Sequence, residues 1–501
     1  MENQESLNSD GKVLPHGYHC AIAWSIPHDF GGMTNALFHR SRAFVREAGE
    51  HVDILTFGYE PNLDDIRCEL EVDGVLIPGL ALRNLWEELA DLDDASLSLA
   101  SVSGHSSIDF QPLSESDDYR EVSSDTGGSR RTRTDSSGQI LQTDYLREDG
   151  TLVVSDRLDR DNRGVPGGRL VTLCDRSGKP IVSWRQIWPL YLFWLDHVIA
   201  ARETYMIIDS KFAANFMTRY RRPNVVTLHQ LHSSHVVNPP HGDMSPSRRY
   251  TFDRLHLFDG VVLLTERQKR DVDLVFDPPG NTYVVPNSRN AASAVGEIPC
   301  ESRSGGLVLA RFTKAKRLDH AIKATQLSAQ KVHHSIPLRI FGGGSQEESL
   351  KKMIDAGGAQ DEIAISGFDP KAAQYFGAAS FTLLTSRSEG QPLVLLEAMS
   401  AGCIPVSYDI AYGPADIITD GIDGFLVADG DVEAMADKIA LIEQMDGVQL
   451  AAMRCAAIRR ASEFSDRPVV ARWGECMKQA ADRKVLAELR ELGAGLTSQA
   501  S

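Results

Sequence analysis

"GGLVLARFTKAKRLDHAI", residues 305–322, carries a strand, a loop and the start of a helix. The run to Ala310 is short and apolar, and Leu318 or Asp319 opens an amphipathic segment; the loop between them holds Arg311 and Lys316. Two cations at the carboxyl end of a strand suit a diphosphate, Arg by bidentate hydrogen bonds and Lys as a point charge. A solvated basic loop is the plainer alternative. Downstream, "LRIFGGG", "EIAISGF", "SFTLLTS", "CIPVSYD" and "GFLVAD" are further apolar strands separated by helix-length segments. Strands alternating with helices predict a parallel sheet covered on both faces.

The same rhythm opens the chain. "YHCAIAW" from Tyr18 is a strand, Gly31 and Gly32 a turn, an amphipathic helix ends at Gly49, and "HVDILTF" is a second strand. After about Phe57 the rhythm stops. Pieces such as "DGVLIPG", "EDGTLVVSD" and "GRLVTLCDRSGKPIVSW" predict a β-rich insertion over residues 61–200. Inside it, residues 101–139 are crowded with Ser, Asp, Gly and Thr, include "SRRTRT", and read as a disordered loop. The β-α rhythm returns with "TYMIID", "NVVTLHQLH" and "FDGVVLLT" and closes near "YVVPN". The expected organisation is a Rossmann-like domain from 1–60 plus 201–290, the insertion at 61–200, a second Rossmann-like domain at 291–480, and a C-terminal helix and tail at 481–501. Two such domains in tandem bind ligand at the carboxyl ends of their strands.

The totals set bounds on function. A chain of 501 residues is too long for one ordinary core, and 42% hydrophobic with 24% charged residues reads as globular. The net charge of -17 excludes a general nucleic-acid binder. Seven cysteines with no C-x-x-C pair fit a reducing cytoplasm. The polar N-terminus "MENQESLNSDGK" has no signal-peptide pattern. "WPLYLFWLDHVIAA", Trp188 to Ala201, is too short to span a bilayer and reads as a core helix, with contact to the inner membrane face as the alternative.

A second stretch bears on chemistry: "SRSEGQPLVLLEAMSAG", Ser386 to Gly402. Pro392 suits a first helical turn, so the helix is expected to start near Gln391. The N–H groups of Leu393 and Val394 then form an anion site. Glu389 stands in the loop before it and Glu397 about one turn inside. A helix start that merely favours Glu by its dipole is the simpler account.

Arg311 and Lys316, five apart, with the E-x7-E of Glu389 and Glu397, resemble the signature of the family-4 retaining glycosyltransferases of the GT-B fold. The resemblance implies two Rossmann-like domains facing across a cleft, with a β-rich insertion in the first. It implies that Arg311 and Lys316 bind a nucleotide diphosphate, Glu397 the ribose and Glu389 the donor sugar. Gly31, Gly32, Gly343, Gly390, Leu393 and Val394 join the donor-binding set. "LHSSH" (Leu231 to His235), "FDGVVLLTERQKRDV", "VVPNS" and "DIAYGPADIITDGIDGFLV" are similar to one branch of that family. The branch holds poly(glycerol-phosphate) α-glucosyltransferases, poly(ribitol-phosphate) N-acetylglucosaminyltransferases and adhesin O-N-acetylglucosaminyltransferases. The implied donor is UDP-glucose or UDP-N-acetylglucosamine, as co-substrate with no cofactor, and the implied acceptor a polyol-phosphate polymer. A Ser/Thr-rich protein acceptor, or a non-catalytic GT-B partner subunit, are the alternatives. In that branch the insertion serves acceptor binding and homo-oligomer assembly.

His229, His232 and His235 stand at every third position. A zinc site normally takes four ligands, and no Cys or carboxylate cluster is near in sequence, so no metal is expected. The resemblance puts His232 and His235 at the reacting centre, with His229 packing in its strand. "DLDD" (Asp91 to Asp94) and "DVD" (Asp271 to Asp273) read as solvated acids rather than metal ligands.

Overall fold

The computed structural model describes residues 13–28, 30–105, 110–236, 242–289 and 303–499, with side chains to residue 490. The N-terminal dodecapeptide, Cys300 and the expected domain junction at 290–291 lie outside, or at the edge of, the described residues. Two compact units form, residues 1–228 and 229–501.

In the first unit β1 (Tyr18–Ala23) lies in parallel with β2 (Val52–Thr56). The helix Gly32–Ala48 joins them, burying Leu37, Phe38, Ala43 and Phe44. It stops at Gly49, whose φ of 68° lets its N–H reach back to the carbonyls of Phe44 and Val45. The parallel sheet does not end at Phe57. The helix Leu63–Val72 leads to β3 (Leu80–Asn84), which pairs with β2 from Val52↔Leu80 to Thr56↔Asn84. This strand escapes a hydrophobicity reading because it carries Arg83, whose guanidinium is tied to Asp53 and Glu88.

Six antiparallel strands follow: β4 (Arg120–Ser123), β5 (Ser129–Thr134), β6 (Ile140–Leu146), β7 (Leu152–Arg157), β8 (Leu170–Cys174) and β9 (Pro180–Trp184). The tract expected to be a disordered loop therefore contains two strands, and "SRRTRT" is β5 itself. Its Ser, Asp and Gly are turn chemistry. In "DSSGQ" the Asp135 carboxylate accepts from the N–H groups of Ser137 and Gln139, at 2.8 and 2.9 Å. In "DRSGK" Asp175 does the same for Ser177 and Lys179, both at 2.9 Å. Gly138 and Gly178 supply the positive φ, 85° and 80°, that such hairpin turns require. The helix Trp188–Ile199 buries Leu190, Trp194, Leu195 and Ile199, so it is a core helix. It leads to β10 (Thr204–Ile208), parallel to β1 on the side away from β2.

The division between units falls inside β11 (Val225–Gln230). In the second unit β12 (Gly260–Leu263) and β13 (Thr282–Val284) pair in parallel. Six more strands form one parallel sheet: β14 (Gly306–Leu309), β15 (Leu338–Phe341), β16 (Ile363–Ile365), β17 (Phe381–Leu384), β18 (Ile404–Tyr408) and β19 (Phe425–Val427). Their order is β16-β15-β14-β17-β18-β19. One core cluster joins Leu338, Ile340, Phe381 and Val406 to Ile322, Met435 and Ile439 of the helices Leu318–Val332 and Val432–Gln444. Another joins Leu384 to Leu395, Leu396 and Met399 of the helix Leu393–Ser400. The order reverses between β14 and β17, and the crevice at such a switch point is where open α/β sheets bind ligands. The loops leaving these two strands carry Arg311 and Lys316 on one side and Glu389 on the other. A single helix, Asp466–Gln499, ends the described chain.

Candidate active site

The cationic loop is held by close backbone packing. Gly342, at φ 146°, lies so near that a Cβ would sit 1.9 Å from the carbonyl oxygen of Ala310. Phe312 donates its N–H to the carbonyl of Gly343 at 2.8 Å. Arg311 stands exposed between these anchors. A 3-10 turn, Lys314–Lys316, follows, and Arg317 leaves it at φ 47°.

Arg317 then ties this loop to the next one. Its guanidinium donates to the carbonyls of Thr385 and Ser386, both at 2.7 Å, reaches Asp429, and lies over the ring of Tyr408. The Thr385 hydroxyl donates to the Lys316 carbonyl at 2.7 Å, and the Arg387 N–H to that of Ala315 at 2.8 Å. These bonds hold the two loops edge to edge, and the Lys316 ammonium meets the Glu389 carboxylate at 2.5 Å. The pair is half-buried, with side chains 23% and 16% exposed.

The helix starts at Leu393, two residues later than expected, with Pro392 as its N-cap. Gln391 is drawn out of the helix by another partner: its side-chain oxygen accepts from the Asn287 N–H at 2.7 Å. The first N–H groups, Leu393 and Val394, have no acceptor within the helix, which is the arrangement that attracts anions. Inside the helix Glu397 pairs with Arg289 at 2.8 Å. The two carboxylates of the E-x7-E are thus each held by their own cation, Glu389 by Lys316 and Glu397 by Arg289.

Gly390 packs against the "LHSSH" segment: a Cβ there would lie 2.6 Å from the His232 carbonyl oxygen and 3.1 Å from Ser233 Cα. His232 is thereby beside the Glu389 loop and is part-exposed. His235, only 2% exposed, is stacked between the rings of Phe252 and Tyr412, with Phe276 at its edge. Burial there pushes its pKa down to about 4. Tyr412 links this cluster to the site, giving its N–H to the Glu389 carbonyl at 3.2 Å and its hydroxyl to Asp271 at 2.7 Å. His229 is buried against Phe258.

Gly31 has an extended backbone, φ -90°, and a Cβ at Gly31 or Gly32 would meet open space, so no packing within the described protein requires glycine there. A Cβ at Gly343 would likewise meet nothing, and it is its neighbours Gly342 and Gly344 that are confined. The acids of "DLDD" and "DVD" have structural partners: Asp93 caps a helix through the Ser96 N–H, and Asp273 accepts from Thr282 and Lys269. Among the described residues no three His, Cys, Asp or Glu side chains are grouped to hold a metal. Arg289, Arg317 and Tyr412 carry no assigned role in the sequence reading, and Gln391 figured there only as a helix start. Arg317 had a local signal, its place beside Lys316; Arg289 and Tyr412 are brought in from other segments, and Gln391 takes its role from the distant Asn287.

Two Rossmann-like domains, with a β-rich insertion in the first and a cationic loop facing a carboxylate loop at the switch point of the second, make up a GT-B fold. Residues 306–461 match the family of glycosyl transferases group 1, and the fold is shared with solved structures of the GT-B type. It is 22% identical over 454 residues to the poly(ribitol-phosphate) alpha-N-acetylglucosaminyltransferase of Staphylococcus aureus (strain COL), covering 83% of this chain and 90% of that one. To the poly(glycerol-phosphate) alpha-glucosyltransferase of Bacillus subtilis (strain 168) it is 21% identical over 523 residues, covering 95% and 77%. Among solved structures, that of a mutant S. aureus TarM in complex with fondaparinux, alpha-GlcNAc-glycerol and UDP superimposes with a TM-score of 0.65 at 20% identity. It covers 92% of this chain and all of that one.

Proposed function

We propose that this enzyme transfers glucose or N-acetylglucosamine from a UDP-sugar to a hydroxyl of a polyol-phosphate polymer of the teichoic-acid type, with retention at the anomeric carbon. The observation that carries the reading is the Lys316–Glu389 pair, at 2.5 Å, beside the opening of the helix Leu393–Ser400. Arg311, Lys316 and the N–H groups of Leu393 and Val394 oppose the charge that builds on the departing diphosphate. Preorganised donors of this kind supply a large part of many rate enhancements. Glu389 orients the sugar hydroxyls, Glu397 the ribose, and His232 lies beside the sugar.

In the transfer the acceptor oxygen bonds to the anomeric carbon on the face from which the diphosphate leaves. The bond from that carbon to the phosphate oxygen breaks with its electron pair going to UDP. The acceptor's proton passes to an oxygen of the leaving phosphate, so no side chain need act as base. The names of the relatives support a polyol-phosphate acceptor. The reading includes a cytoplasmic location against the inner membrane face and a homo-oligomer assembled through the antiparallel sheet; among the described residues no helix is long and apolar enough to cross a membrane.

The test incubates the purified protein separately with UDP-glucose, UDP-N-acetylglucosamine and GDP-mannose, with poly(glycerol phosphate), poly(ribitol phosphate), a Ser/Thr-rich peptide, or no acceptor. Nucleotide release that rises with a polyol-phosphate polymer supports the reading. Release stimulated only by the peptide moves the acceptor to protein, and no release with any donor leaves a non-catalytic subunit.

A further inference from the structure

The structure assigns Arg289 as a positioning residue of the nucleotide site: it fixes Glu397 so that the second carboxylate oxygen is presented to a ribose hydroxyl. The inference rests on the donor site proposed above and adds a residue to it. Arg289 Nη2 lies 2.8 Å from Oε1 of Glu397, with the two side chains 31% and 26% exposed. The other oxygen, Oε2, has no partner among the described residues.

The root of Arg289 is fixed independently of this ion pair. Its N–H donates to the Phe464 carbonyl at 2.9 Å. Two residues earlier, Asn287 and Gln391 exchange hydrogen bonds, N–H to side-chain oxygen at 2.7 Å and side-chain NH2 to carbonyl at 3.4 Å. Gln391 immediately precedes the N-cap of the helix that bears Glu397. The backbones carrying the cation and the carboxylate are therefore pinned to each other before their side chains meet.

A physical consequence follows. A free glutamate has three rotatable bonds, and ordering them on ligand binding costs affinity; a carboxylate already held by a guanidinium has lost that freedom beforehand. Arg289 thus does for Glu397 what Lys316 does for Glu389. Because its bond is to the carboxylate, its loss should be felt at the ribose hydroxyls and hardly elsewhere on the nucleotide.

The experiment is calorimetric titration of the full chain with UDP and with 2′,3′-dideoxy-UDP, for wild type, Arg289→Ala and Arg289→Lys, each checked for folding by thermal melting. Hydrogen bonds from ribose to a charged acceptor should make wild type prefer UDP by about tenfold or more. In Arg289→Ala the preference should shrink to within about threefold, by weaker UDP binding alone. Arg289→Lys, which keeps charge but not the planar fork, should fall between. If Arg289→Ala does not fold, the lysine variant decides: a reduced preference supports the assignment and a full one overturns it. An unchanged preference, or equal weakening toward both nucleotides, overturns the role of Arg289 while leaving the donor site standing. A wild type that binds neither nucleotide overturns the donor site and this assignment together.

Discussion

Lys316 and Glu389 are 73 positions apart and meet at 2.5 Å, and both could be named from the sequence because each lies in a short local pattern. Arg289 could not. It is 108 positions from Glu397, and nothing around "PNSR" marks it as a partner. Replacing Lys316 by Ala leaves Glu389 without its cation and removes a charge from the proposed leaving-group site. Transfer should fall by about two to three orders of magnitude, the usual cost of losing one electrostatic group at such a site. The melting temperature should change little, since an ion pair still partly open to solvent contributes only about 1 kcal/mol. Near-normal transfer by the folded variant would remove Lys316 from the site. His235 invites a different experiment. Its pKa of about 4 lies below the ordinary value of 6.5, so between these the unfolded chain takes up a proton that the folded one refuses. Its contribution to stability is complete above about 6.5 and is lost as pH falls toward 4. His235→Phe keeps an aromatic ring between Phe252 and Tyr412 and removes the titration. Urea midpoints measured from pH 7 to pH 4.5 should decline less steeply for the variant than for wild type, and parallel declines would contradict the shift.

At the scale of elements, the β-α alternation of the second unit was legible because each strand is a short apolar run with a helix-length gap. The antiparallel sheet was partly hidden. Its turns are built from Asp, Ser and Gly, the same residues that mark disorder, and only the repeated carboxylate-to-N–H bonds of "DSSGQ" and "DRSGK" distinguish the two. The helix begins at Leu393, two residues past the start that Pro392 predicts, because Gln391 is recruited by Asn287, a long-range bond that local signals do not carry. Gly390 has a comparable hidden reason. Its space is taken by the backbone of His232 and Ser233, so Gly390→Ala must push the histidine segment and the Glu389 loop apart. A shift near 1 Å at a reacting centre can cost on the order of a hundredfold. We expect kcat/KM of Gly390→Ala to fall by roughly ten- to a hundredfold. The fold should survive, because the methyl meets a loop rather than the sheet. A variant with wild-type kcat/KM would show that the His232 segment is free to move without consequence.

Across the whole molecule, the net charge of -17 and the proposed polyanionic acceptor are in tension. An arginine-rich strand such as "SRRTRT" would offset that charge if its side chains were free to meet phosphates. In the structure those arginines are already engaged: Arg131 with Glu121, Arg133 with Asp159, and Arg130 over the ring of Tyr59. Arg157 shares Asp159, and Arg169 is paired with Asp156. The strand therefore offers little unpaired positive charge, and the net field of the protein governs the approach of a polymer. Salt shortens the reach of that field from about 30 Å at 0.01 M to about 8 Å at 0.15 M. At saturating donor, kcat/KM for poly(glycerol phosphate) should rise severalfold between about 10 and about 150 mM NaCl, in the manner of screened repulsion. An uncharged acceptor fragment, or a neutral Ser/Thr peptide where it is used, should show no such rise. If polymer kcat/KM instead falls with salt, attraction outweighs repulsion, and phosphates of the acceptor must then be drawn by exposed cations such as Arg311 near the site itself.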